Sequence, residues 1–89
     1  MKERYLEVTY RKGKPVAAYL YLPRGEGTKS ARTDRAAPGI MVDYDAKGAP
    51  IGVEITAPQK ASVAKINKVL HDLGVGLIDP EELLPLKAA

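Results

Sequence analysis

Over residues 5–55 apolar and polar positions alternate in short runs with a period of two, and beyond residue 57 the spacing lengthens to that of a helix. Period two sends successive side chains to opposite faces of a strand, whereas recurrence at three and four lines one stripe of a helix. The clearest alternation is Ile40, Val42 and Tyr44 against Met41, Asp43 and Asp45, answered by Ile51, Val53 and Ile55 against Gly52 and Glu54. These runs predict two strands folded back through Asp45-Ala46-Lys47-Gly48. Asp45 can accept the backbone bonds of that turn, and Gly48 can take a left-handed conformation without steric cost.

Upstream, Tyr5–Tyr10 predicts a strand with Leu6, Val8 and Tyr10 on one face and Tyr5, Glu7 and Thr9 on the other. Arg11-Lys12-Gly13-Lys14-Pro15 is a polar turn. Val16–Leu22 is the next strand, with Val16, Ala18, Leu20 and Leu22 facing one way and Ala17, Tyr19 and Tyr21 the other. Pro23 ends it, and Arg24-Gly25-Glu26-Gly27-Thr28 is too poor in apolar side chains to pack by itself. Lys29–Ala36 reads as a weaker strand with Ala31, Thr33 and Arg35 on one face, suited to a sheet edge where Lys and Arg discourage further pairing.

Pro58 suits a first helical turn, where its missing N–H is not needed. Over Gln59–Leu73, Val63, Ile66, Leu70 and Leu73 form one stripe flanked by Val69, with Lys65, Lys68 and Asp72 opposite. Gly74 is a C-terminal stop. Asp79-Pro80-Glu81-Glu82 has the cap, proline and first-turn acids of a short helix that Pro85 ends, and the last residues are expected to fray. The expectation is one α+β domain over residues 1–89. It comprises an antiparallel four- to five-stranded β-meander (5–55), an amphipathic helix (57–73) packed on one face, and a short C-terminal helix (79–85). Leu6, Val8, Leu20, Val42, Val53 and Ile55 would then meet Val63, Ile66 and Leu70.

Composition narrows the chemistry more than the fold. The chain has 89 residues, 45% of them hydrophobic and 28% charged, which suits a single modest core. It contains no Cys, which excludes disulfides, thiolate metal sites and a cysteine nucleophile. Neither a signal-peptide core nor a membrane-length apolar run is visible, so a cytoplasmic, membrane-free protein is expected. The net charge of +3 is uneven. Residues 1–35 hold nine Lys and Arg against four acids, giving +5, and residues 36–89 hold five against seven, giving −2. A basic half suits nucleic acid or an acidic partner, but also an ordinary solvated set of strand ends and loops.

Val42-Asp43-Tyr44-Asp45, Gly48 and Gly52-Val53-Glu54-Ile55 closely resemble the hairpin signature of the YuzE-like small proteins, a family of unknown function. The strand Tyr19-Leu20-Tyr21-Leu22 and the helix with Ser62 near its start also fit, so the resemblance extends over roughly residues 5–73. It implies a small bacterial or archaeal domain with no established activity or cofactor, some members looking like partners of toxin-like proteins. One departure stands out: family members tend to carry acids before the second strand, where this chain has Arg11, Lys12 and Lys14.

No catalytic constellation emerges. Asp43-x-Asp45-x-Lys47-Gly48 with Glu54 nearly spells a calcium loop, but Lys47 occupies a ligand position and the flanks read as strands. Asp43 and Glu54 share a face by parity, yet paired carboxylates catalyse only where a desolvated cleft separates their pKa values. The lone His71 falls beside the helical apolar stripe and reads as partly buried, and without a second His or a Cys no zinc site can be built. Ser30 and Ser62 lack a nucleophile elbow, and Gly25-x-Gly27 is too short for a phosphate loop. No enzyme, cofactor or metal site is expected.

The sheet's second face offers more. Tyr5, Tyr19, Tyr21 and Met41 should point away from the helix with Thr9, Asp43 and Glu54, and a two-layer domain leaves that face uncovered. Such a cluster suits an association surface, most simply a two-fold homodimer or a protein partner. Cross-strand pairing of tyrosines on a solvated sheet is the competing explanation. The alternative function is a nucleic-acid-associated regulator or antitoxin-like partner, stacking single-stranded bases on the tyrosines with help from Arg32 and Arg35. Asp43 and Glu54 would repel phosphates there.

Overall fold

Five strands form one antiparallel sheet in a computed structural model that describes residues 4–23, 27–58 and 61–83. They are β1 (Tyr5–Arg11), β2 (Lys14–Tyr21), β3 (Arg32–Ala37), β4 (Ile40–Tyr44) and β5 (Pro50–Ile55). A helix, α1 (Val63–Asp72), and a short 3-10 helix (Pro80–Leu83) follow. The fold class is α+β. The strand order is β1-β2-β5-β4-β3. The meander therefore holds for β3–β5, while β2 pairs with β1 and with β5 rather than with β3. That pairing places the hairpin's last strand at the centre of the sheet, and β3 lies at an edge as its polarity demands.

The 45–48 turn forms as its residues require. Asp45 Oδ1 accepts from the N–H groups of Lys47 and Ala49, each at 2.9 Å, and the Gly48 N–H donates to the Asp45 carbonyl at 3.0 Å. Gly48 has φ 85°, the left-handed region closed to most side chains. The β1–β2 hairpin turns through Lys12 and Gly13, both at positive φ. This is the primed turn whose twist matches paired strands.

The core joins one face of the sheet to α1. Ala18, Leu20, Leu22, Ile40, Val42, Val53 and Ile55 form a single buried cluster with Ile66, Val69, Leu70 and Ile78, and Leu6, Val8, Val63 and Leu73 pack at its margin. Register puts Leu20, Val53 and Val42 in one row and Ala18, Ile55 and Ile40 in the next. Burying each such side chain contributes about 1.5–3 kcal/mol before entropy is subtracted.

Several expectations shift. A bulge between Thr9 and Tyr10 pairs Tyr10 with Pro15, so the run of parity breaks. Pro15 is buried in the place expected of Val16, which is 43% exposed, and Tyr10 is 48% exposed. The helix begins at Val63 rather than in the 57–62 segment because Ser62 is its cap: Ser62 Oγ accepts from the Lys65 N–H at 3.1 Å. The expected Gln59 and Lys60 lie outside the described residues. His71 is exposed rather than half-buried, since Ile66, Val69 and Leu70 make the inward stripe and residue 71 turns past it. The short C-terminal helix is the 3-10 helix as far as Leu83. Its continuation to residue 85, the frayed end and residues 24–26 of the β2–β3 connection lie outside the described residues.

Two side chains with no apolar signature fix the segment after α1. The Asn67 amide donates to the Ile78 carbonyl at 3.1 Å and accepts from the Ile78 N–H at 2.7 Å. The Arg4 guanidinium donates to the carbonyls of Gly76 and Leu77 and pairs with the Glu82 carboxylate at 3.1 Å. Ile78 is thereby held in the core.

Candidate interaction surface

The strand register assembles the face opposite α1 row by row. One row runs Tyr5–Tyr21–Gly52–Asp43–Thr33 from β1 to β3, and the next runs Glu7–Tyr19–Glu54–Met41–Arg35. Tyr5, Tyr19 and Tyr21 thus come together. The Tyr5 and Tyr21 rings stack with centroids 4.5 Å apart and planes 17° apart, and Tyr19 tilts against Tyr21 at 4.6 Å and 57°. Those offsets fall in the range in which aromatic pairs add to area burial. Met41 lies on the same face, but Glu54 separates it from Tyr19.

Polar groups hold the rings in place. Tyr19 lies diagonally across Gly52: a Cβ on Gly52 would sit 2.0 Å from the Tyr19 hydroxyl and 2.3–2.4 Å from its ring. The glycine leaves room for the phenol to reach β4, where its O–H donates to Asp43 Oδ2 at 2.6 Å. Thr33 Oγ1 donates to the other oxygen of the same carboxylate. The Tyr21 hydroxyl donates to Glu7 Oε1 at 3.3 Å. Charge-assisted bonds to a carboxylate are the stronger kind, so the aromatic trio is a pinned surface.

The acids of the hairpin are therefore divided between duties. Asp45 closes the turn, Asp43 anchors Tyr19 and Thr33, and Glu54 stands half-buried between Tyr19 and Met41. Among the described residues no three His, Asp or Glu are grouped to hold a metal ion. The two arginines expected to assist the tyrosines part company. Arg32 pairs with Tyr44 on the helix side, its guanidinium 4.3 Å from the ring centroid and 2.9 Å from Asp34. Only Arg35 joins the tyrosine face, at its far edge.

Gly52 and Thr33 belong to this surface without having been singled out as interface residues from the sequence. Their signal was register: each becomes a neighbour of the tyrosines only once β5 is placed beside β2. Among the described residues no helix is long and apolar enough to cross a membrane.

No match is found among the curated proteins or the solved structures. Residues 17–57 match the model of a family described as a protein of unknown function (DUF2283). That span begins inside β2 and ends just past β5, so it is shorter than the resemblance over 5–73. It takes in Tyr19, Tyr21, Asp43 and Gly52, so the similarity to this family of unknown function falls on the three central strands, the edge strand β3 and the Asp43 anchor of Tyr19, with Tyr5 and Glu7 outside it.

Proposed function

We propose that this protein is a small non-enzymatic interaction module that works through its tyrosine-bearing sheet face, associating with itself or with a partner protein. The pinned trio of Tyr5, Tyr19 and Tyr21 carries this reading: Tyr5 is 51% exposed, and Tyr19 and Tyr21 stand half-buried beside it on the face opposite the core. A flat, pre-ordered aromatic surface loses little side-chain entropy on docking, which is what an interface core requires. The YuzE-like character of the hairpin fits the same reading, since Asp43 and Gly52 of that signature serve the tyrosine face. A cytoplasmic setting suits a chain without cysteine.

Glu7, Asp43 and Glu54 interleave the tyrosines and make the face a poor match for phosphates, which disfavours the nucleic-acid alternative. Sedimentation equilibrium tests the proposal. Wild type should form a dimer that Tyr19→Glu/Tyr21→Glu dissociates, with the monomer still folded by circular dichroism. A monomeric wild type would remove self-association and leave the partner-protein branch.

A further inference from the structure

The second row of the open face is self-complementary. From β1 to β3 it reads Glu7, Tyr19, Glu54, Met41 and Arg35: acid, aromatic, acid, thioether, base. Glu7 and Arg35 are exposed, and the three between them are half-buried. Among the described residues no ion pair engages Arg35 or Glu54. A cation stationed at one edge and two carboxylates, Glu7 and Glu54, towards the other are a donor and a receptor of the same chemistry.

We infer that the occupant of this face is a second copy of the chain, laid sheet to sheet about a two-fold axis that runs along the strands between β4 and β5. This inference rests on the reading of the tyrosine face as a protein-binding surface. The axis reverses the row and shifts it by one strand. Arg35 of each copy then sits over β2 of the other, between its Glu7 and Glu54, and Met41 covers the stem of Glu54. In the neighbouring row Asp43 faces the Tyr19 ring that lies over Gly52 of the other copy, and Tyr21 faces Thr33. No like charges oppose one another.

Two other two-folds leave the charges unmatched. An axis centred on β5 stacks the two Glu54 carboxylates. An axis across the strands lays each strand on itself, leaving both Arg35 side chains at one edge and away from every acid of the row. The one-strand shift leaves β1 outside the overlap, with Tyr5 at the rim. Five strands span only about 19 Å, so the buried area falls short of the roughly 800 Å² per partner of a standard interface. The dimer is accordingly a reversible, salt-sensitive one.

A charge exchange tests the geometry. Arg35→Glu alone should weaken dimerisation at least about tenfold, and Glu7→Arg/Glu54→Arg alone should do the same. Mixed one to one, the two variants should recover a heterodimer within a few-fold of wild-type affinity, seen by sedimentation equilibrium and by native mass spectrometry as one chain of each mass. Circular dichroism and a thermal melt establish that each variant folds, and Arg35→Gln with Glu7→Gln/Glu54→Gln provide milder substitutions whose losses should be parallel. A wild-type dimer that Tyr19→Glu/Tyr21→Glu dissociates, but whose charge variants neither weaken it nor pair in the mixture, overturns this arrangement and leaves the proposed function standing. A monomeric wild type across the micromolar range overturns both this inference and self-association.

Discussion

Gly52 shows how a single missing side chain organises a surface. Its bare backbone lets the Tyr19 ring cross from β2 over β5 to Asp43 on β4, so three strands are tied together on the face away from the core. Gly52→Ala should force the ring off, forfeiting its hydrogen bond and its contact with Tyr21, at about 1–3 kcal/mol. The cost should fall to a few tenths of a kcal/mol in a Tyr19→Ala background, because the clash has only one partner; chemical denaturation of the four proteins closes that cycle. Equal costs in both backgrounds would locate the penalty in the strand itself. From sequence, Gly52 is only the small member of an alternating strand, since nothing local says that a tyrosine thirty-odd residues earlier needs the space.

Among elements, the segment after α1 has the least hydrophobic support and the most polar pinning. Glu82 illustrates its chemistry: the Asp79 N–H holds the carboxyl below its ordinary value of 4.5, Arg4 adds to the effect, and slight burial opposes it. A carboxyl with a lowered folded-state pKa adds docking stability above its ordinary value and loses it as pH falls through the lowered one. The protection of the amides at residues 76–82, corrected for the intrinsic pH dependence of exchange, should therefore fall on acidification through that range in the wild type and vary less in Glu82→Gln. Asn67→Ala should quicken the same amides at neutral pH by leaving both backbone groups of Ile78 unpaired, with the sheet amides unchanged. At the other end of the helix, Ser62→Ala should cost about 1 kcal/mol, as loss of an N-cap does. The helical stripe and its stop were visible in the spacing of Val63, Ile66, Leu70 and Gly74. The docking of residues 75–83 was not, since Arg4 and Asn67 act through backbone carbonyls that carry no sequence signature.

For the whole molecule, the buried rows Leu20–Val53–Val42 and Ala18–Ile55–Ile40 form a shared floor against which α1 lies. Val53 is at the crossing of the central strand with that floor and is fully buried. Val53→Asp should place an unpaired carboxylate there and abolish cooperative unfolding near neutral pH in a thermal scan. Val16→Asp should shift the same transition little, because the bulge turns that residue to solvent. The contrast between two valines of similar local pattern measures what the bulge does to strand parity.

Alternation and turn chemistry by themselves determined the strands, the 45–48 turn, the inward stripe of the helix and the separation of aliphatics from tyrosines, because each depends on residues within a few positions of one another. Only the tertiary structure decided that β5 enters between β2 and β4, since strand order is set by which buried rows align and not by any one strand's composition. From that order came the crossing of Tyr19 over Gly52 and the graded charge of the row that ends in Arg35.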